Sequence, residues 1–342
     1  MRSFIIDPLS PALSIDPVAR IDLAAAPSFD RDGNLVLIER QWDQGLLVIH
    51  RARAGAGWQR ETETTLKGFR SAPVGVAVDP TRGRIAAGMK TAKLFEEGAT
   101  SSSVSFLSVK YQLEWCSLGF SPSGASLAIG DGGYVAPKQR NVHVCDASTG
   151  EKRATIKTDE WHFSHVAMLD DDLVVCRGLA FDWDFDDAER SGEQVIACYD
   201  VATKRARWRR AQRTGQCFSV DNARKLTWLT TETAPFAWDA HVAIDADGTI
   251  AYEIKYSGGY EPSVSPPVAV GSSLLVLSVT SRDAKHERTL VLDVEAQRVV
   301  ATLNNATKME FVERPPAVHA DTARFAAVCE RNHTLLWELA QR

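Results

Sequence analysis

Strand–turn–strand units that return every 45 to 54 residues, an acidic residue closing the same strand of most units, and almost no helical periodicity predict an all-β fold. The specific expectation is a seven-bladed β-propeller with four antiparallel strands per blade. The clearest units are NVHVCDASTGEKRATI (141–156), QVIACYDVATKRARW (194–208), HVAIDADGTIAYEI (241–254), TLVLDVEAQRVVATL (289–303) and HTLLWELAQR (333–342). Their first strands end at Asp146, Asp200, Asp245, Asp293 and Glu338, steps of 54, 45, 48 and 45 residues. Two weaker copies precede them, LLVIHRARAG ending near His50 and SVSFLSVKYQ ending near Ser108, which brings the count to seven.

The other half of each unit reads as a hairpin. GVAVDPTRGRIAAG (75–88), LGFSPSGASLAIG (118–130), HVAMLDDDLVVC (165–176), FSVDNARKLTWL (218–229) and PVAVGSSLLVLSV (267–279) each join two apolar strands through a turn rich in Asp, Pro, Ser or Gly. Inner propeller strands are short and apolar because blades pack on both of their faces. The last repeat stops after its third strand, at Leu339, and VARIDLA (18–24) has the character of the missing outer strand. Such a strand would close the last blade and leave residues 1–17 as an N-terminal extension, across an edge or loose, to a single domain spanning 18–342.

These repeats resemble the WD40 and related bacterial YVTN-type propeller repeats, most closely in SPSGASLAIGDGG (121–133) followed by NVHVCDASTGE (141–151). The Gly-His pair of WD40 repeats is absent, and the Trp-Asp pair survives only as Trp337-Glu338. The resemblance therefore implies a fold and no activity.

Composition narrows the classes of function. The chain has 342 residues, 44% hydrophobic and 24% charged, with a formal net charge of −5. That balance gives no general attraction for nucleic acid. The basic run 204–213 (KRARWRRAQR) reads as a solvated edge strand whose charges discourage edge-to-edge pairing. The six cysteines lie singly in apolar stretches with no Cys-x-x-Cys, as reduced core residues of a cytoplasmic protein do. Asp7, Pro8 and Pro11 interrupt the first apolar run, which does not read as a signal peptide, and no stretch is long enough for a membrane span.

In a propeller the A–B and C–D turns emerge on one face, and the B–C and D–A connections on the other. Here the former read as tight turns. The B–C connections read as long: 40–45, 90–101, 131–140, 177–193, 232–240 and 281–287. Trp42-Asp43, Trp183-Asp184 and Trp238-Asp239 fall in three of them, and Phe95 and Tyr134 in two others. The D–A connections add Phe69, Tyr111, Trp161 with His162, and Tyr260 with Glu261. Rigid aromatics interleaved with carboxylates suit a protein interface. The residues expected to carry it are Trp42, Asp43, Tyr134, Trp161, His162, Trp183, Asp184, Trp238, Asp239 and Tyr260. A competing reading packs individual aromatics of this set between blades.

The sharpest chemical motif is FDWDFDDAERSGE (181–193), in which Asp182, Asp184, Asp186 and Glu193 take positions 1, 3, 5 and 12 of a calcium loop. Position 6 is Asp187 where the turn needs Gly, and the flanks read as strands, so an acidic interaction loop is the stronger reading and calcium the lesser one. His162 and His165 offer a metal or general-base pair, but the pleat separates them unless the chain bends. No Gly-x-Ser-x-Gly elbow or glycine-rich phosphate loop is present. The expectation is a non-catalytic module with no cofactor. It binds another protein, one with a basic exposed segment, and neither nucleic acid nor membrane; an adaptor or an immunity-type inhibitor is one version. The alternative is a small-molecule or carbohydrate binder, or an enzyme, using the central opening for a polar ligand, with or without a divalent cation.

Overall fold

A computed structural model describes residues 1–10, 12–67, 69, 75–88, 91–108, 117–130, 141–157, 161–180, 194–212, 218–234, 237–263, 265–309, 316–330 and 332–339. Three short strands come first, β1 (Arg2–Ile6), β2 (Leu13–Ile15) and β3 (Ala19–Ile21). Blade one follows as β4 (Ala26–Phe29), β5 (Leu35–Gln41), β6 (Leu46–Ala52) and β7 (Arg60–Leu66). Blade two is β8 (Gly75–Val78), β9 (Ile85–Gly88), β10 (Thr91–Phe95) and β11 (Val104–Ser108). Blade three is β12 (Ser117–Phe120), β13 (Ser126–Gly130), β14 (Asn141–Asp146) and β15 (Lys152–Lys157). Blade four is β16 (Trp161–Met168), β17 (Leu173–Ala180), β18 (Gln194–Asp200) and β19 (Ala206–Gln212). Blade five is β20 (Ser219–Asp221), β21 (Leu226–Ala234), β22 (Ala237–Asp245) and β23 (Ile250–Tyr256). In blade six β24 (Tyr260–Pro262) and β25 (Val268–Val270) both pair with β26 (Leu274–Ser281), followed by β27 (Glu287–Asp293) and β28 (Arg298–Leu303). Blade seven is β29 (Ala317–His319), β30 (Arg324–Cys329) and β31 (His333–Glu338), completed by β3.

The ring is closed twice over. β3 pairs antiparallel with β31, Ala19 opposite Leu336 and Ile21 opposite Thr334, so the outer strand of blade seven comes from the N-terminal segment, as expected. Seven apolar clusters also fill the seven gaps between successive blades. The one between blades seven and one holds Phe29, Leu35 and Leu37 against Ala326 and Leu336. Packing on both faces explains why β17 buries Leu173, Val174, Val175 and Cys176 in succession, with no alternation. The cysteines described, Cys145, Cys176, Cys198 and Cys329, are all buried free thiols.

The acid-ended third strands have a local cause. Asp146 Oδ1 accepts the backbone N–H groups of Ser148 and Thr149, Asp200 that of Thr203, and Asp245 those of Asp247 and Thr249. Asp293 likewise accepts the N–H of Ala296. Each carboxylate thus satisfies the donors of the tight C–D turn that follows it.

β1 and β2 join blades five and six as fifth strands. Both run in the direction of the outer strands, so they pair parallel to them: Arg2 to Ile6 beside Tyr252 to Tyr256, and Leu13 to Ile15 beside Ala301 to Leu303. Phe4 and Ile6 enter the core between blades five and six, while Ile5 faces out.

Three features differ from the sequence expectation. In blade two the third strand is β10, ending at Phe95, and the 104–108 segment is the fourth strand; the 90–101 stretch therefore holds a strand and a C–D loop. Phe95 is consequently a core residue, 1% exposed, packed between blades one and two. In blade five, β21 and β22 extend until only 235–236 separate them, so 232–240 is no long connection.

Candidate functional site

The two faces of the ring differ in how their polar groups are used. On the tight-turn face, charged side chains tie one blade to the next. Asp79 and Arg84, both buried, pair with Nε to Oδ2 at 2.7 Å. Arg84 then donates to the carbonyls of Gly124 at 3.0 Å and Ala147 at 3.3 Å in blade three. Arg324 of blade seven reaches the Gly33 carbonyl of blade one at 2.8 Å, and Asn222 of blade five donates to Met168 and Leu169 of blade four, each at 2.9 Å. The basic run keeps the same habit: β19 is the outer strand of blade four, Arg207 pairs with Asp200, and Arg210 donates to the Gly248 carbonyl.

On the opposite face the B–C turn of blade one is a short 3-10 turn, Trp42–Gln44, ended by Gly45 in the left-handed conformation (φ 63°). The turn lifts Trp42 clear of the sheet, 55% exposed, and Asp43 beside it is exposed too. Arg40 lies over the indole, 5.9 Å from its ring centre. Trp42 is the only aromatic among the exposed large hydrophobic side chains of the described residues. The half-buried Trp238 and exposed Asp239 stand at the start of β22, on the same B–C side but within a strand, Trp238 opposite Glu232.

Other expected positions differ. Tyr260 is 8% exposed and belongs to the core between blades five and six, because β24 lays it against β26. Trp161 and His162 open β16, opposite Ala180 and Leu179, rather than lying in a D–A loop; their side chains lie outside the described ones. Tyr134, Trp183 and Asp184 fall outside the described residues, as do Asp182, Asp186 and Glu193. Phe69 packs on Phe95 at 5.7 Å between ring centres, a structural role.

The remaining tryptophans described, Trp58, Trp208, Trp228 and Trp337, are all buried. His165 is held neutral: burial, helped by the Arg177 charge, pushes its pKa down to about 4, and the ring stands edge-on to Phe218 at 4.8 Å. Among the described residues no group of three or more His, Cys, Asp or Glu side chains is placed to hold a metal ion. No helix among them is long and apolar enough to cross a membrane.

Sequence reasoning named the central opening but not the residues that line it. A cavity of about 490 Å³ runs along the axis, with walls from the innermost strands of blades four to seven. Its signal was a proline close to an innermost strand in four blades, Pro80 and Pro122 after β8 and β12 of blades two and three, Pro266 and Pro316 ahead of β25 and β29, all part of the lining. No family model and no curated protein sequence matches the chain.

Proposed function

We propose that the protein is a non-catalytic interaction module that binds another protein through its B–C face, with Trp42 as an anchor. One observation carries the reading: a large aromatic side chain stands 55% exposed on a short, glycine-ended turn, beside a free carboxylate-bearing residue. An indole buries much area at small entropic cost, which makes it the typical centre of a protein interface. Trp42-Asp43 and Trp238-Asp239 on one side of the ring favour a partner with exposed Arg or Lys, where cation–π and ion-pair contacts combine. An adaptor or immunity-type inhibitor in a bacterial cytoplasm is the version that suits such a face. Degenerate WD40-like or YVTN-type repeats belong to the same reading, supported by the acid-ended third strands and their tight turns.

Affinity capture from native lysate with wild type, Trp42→Ala and Trp238→Ala in parallel, quantified by mass spectrometry, tests the face. A protein retained by wild type should fall at least tenfold with Trp42→Ala, a loss of about 1.4 kcal/mol. Equal retention by both variants would exclude this face. Thermal melting with calcium and with chelator tests the lesser reading of the 181–193 loop, which a calcium-dependent rise in Tm would support.

A further inference from the structure

We infer that the central cavity is a binding site for an uncharged, largely apolar small molecule. This inference rests on the axis of the ring and does not depend on the B–C face. At about 490 Å³ the cavity lies within the usual range for small-molecule sites, which are mostly apolar with a few placed polar groups. The walls come from Ala167, Phe218, Val220, Val268 and Val318. Val220, Val268 and Val318 are only half-buried, although their strand neighbours Asp221 and Val270 are fully buried.

Most of the polar side chains in the lining are already engaged within the protein, and that decides the chemistry. His319 meets the Arg31 carbonyl through Nε2 at 3.1 Å and the Thr322 hydroxyl through Nδ1 at 2.8 Å. A carbonyl only accepts, so Nε2 donates to it, and the Thr322 hydroxyl occupies Nδ1; both ring nitrogens are engaged. The Asn222 amide uses its NH₂ group on the Met168 and Leu169 carbonyls. Asp221 is held by Arg224, Nε to Oδ2 at 2.5 Å, and the Ser219 hydroxyl donates to the Pro267 carbonyl. His165 turns its ring edge-on to Phe218. Asp321, exposed at the turn-side end, is the one lining charge without a partner among the described residues.

A sugar or a charged metabolite brought into this cavity would give up water for walls that offer it little in return, and unpaired buried polar groups are costly. A neutral apolar ligand loses nothing of that kind. The ligand class therefore differs from the polar one expected from sequence.

A matched pair of fluorescent probes reads this out on the full chain. N-phenyl-1-naphthylamine is neutral; 8-anilino-1-naphthalenesulfonate carries the same ring system plus a sulfonate. The neutral probe should bind one per chain at micromolar concentration, and the sulfonate at least tenfold more weakly. Val318→Trp, which fills the channel, should abolish the site. Ala320→Trp, at an exposed position on the same lining, should weaken the neutral probe at least tenfold without changing the melting curve. Trp42→Ala should leave it unchanged, which separates this site from the proposed protein-binding face. The inference is overturned if the neutral probe does not bind, if Ala320→Trp leaves binding intact, or if both probes bind equally.

Discussion

Asp79 and Arg84 show how much a single pair can hold in this ring. Both are buried, and the guanidinium spends its remaining donors on two carbonyls of the next blade. Asp79→Ala would strand a buried cation, at a cost of about 3–5 kcal/mol, whereas replacing both residues by apolar ones of similar size should cost much less. Urea unfolding of the two variants measures the difference. Gly124, opposite this pair, has φ +70° and no room for a Cβ beside the Asp79 carboxylate; Gly124→Ala should lose about 1–3 kcal/mol. Three desolvated imidazoles, His241 buried and His143 and His165 half-buried, add a pH dependence. Burial pushes His143, His165 and His241 down to about 4 from the ordinary 6.5. The unfolded chain therefore takes up protons first as pH falls. The stability these rings contribute is complete above pH 6.5 and is lost between there and pH 4, about 3 kcal/mol per ring at most. Melting curves from pH 7.5 to 4.5 should show this fall, and it should be shallower in His241→Gln than in wild type.

At the scale of the element, the third strands that end in Asp were readable because the signal is local. The carboxylate caps its own turn, and that chemistry needs only a few consecutive residues. Blade two lacks the signal: β10 ends in Phe95, and the Glu96–Gly98 stretch that follows has no aspartate to mark it. The alternating Val104–Ser108 run then looks like a third strand, although hydrogen bonding makes it the fourth. Trp238-Asp239 misled in a similar way, because residue types common in loops sit in a strand that pairing extends past the blade. The N-terminal strands yield a further prediction. Phe4 is 9% exposed against the core of blades five and six, so Phe4→Ala should destabilise by about 3 kcal/mol, while Ile5→Ala, on the outer face and 68% exposed, should be within about 0.5 kcal/mol of wild type. Chemical denaturation of the two single variants separates them.

For the whole molecule, closure is the property that matters most. Blade seven takes three strands from the end of the chain described here and its fourth from residues 19–21, with Thr334 donating to the Leu23 carbonyl. A ring sealed in this way should open first at its seam when the closing strand is weakened. Ile21→Pro, which removes an N–H and strains the short pairing, should lower Tm by several degrees and expose blades seven and one together to protease. Cleavage spread evenly over all blades would argue against closure as the controlling contact.

The all-β class, the repeat, the count of blades and the closing strand follow from the sequence alone, because strand periodicity and turn chemistry are written in adjacent residues. The tertiary structure alone decided which aromatics are surface and which are core. Trp42 and Tyr260 look equivalent in sequence, yet a 3-10 turn exposes the first and an added strand buries the second between two blades. It alone also assembled the central cavity, whose lining comes from six blades spread over more than 200 residues. Each apolar wall residue, Ala167, Phe218, Val220, Val268 or Val318, is ordinary in its own segment. Only the ring brings them to one axis, and only there do their neighbours' hydrogen bonds leave the space apolar.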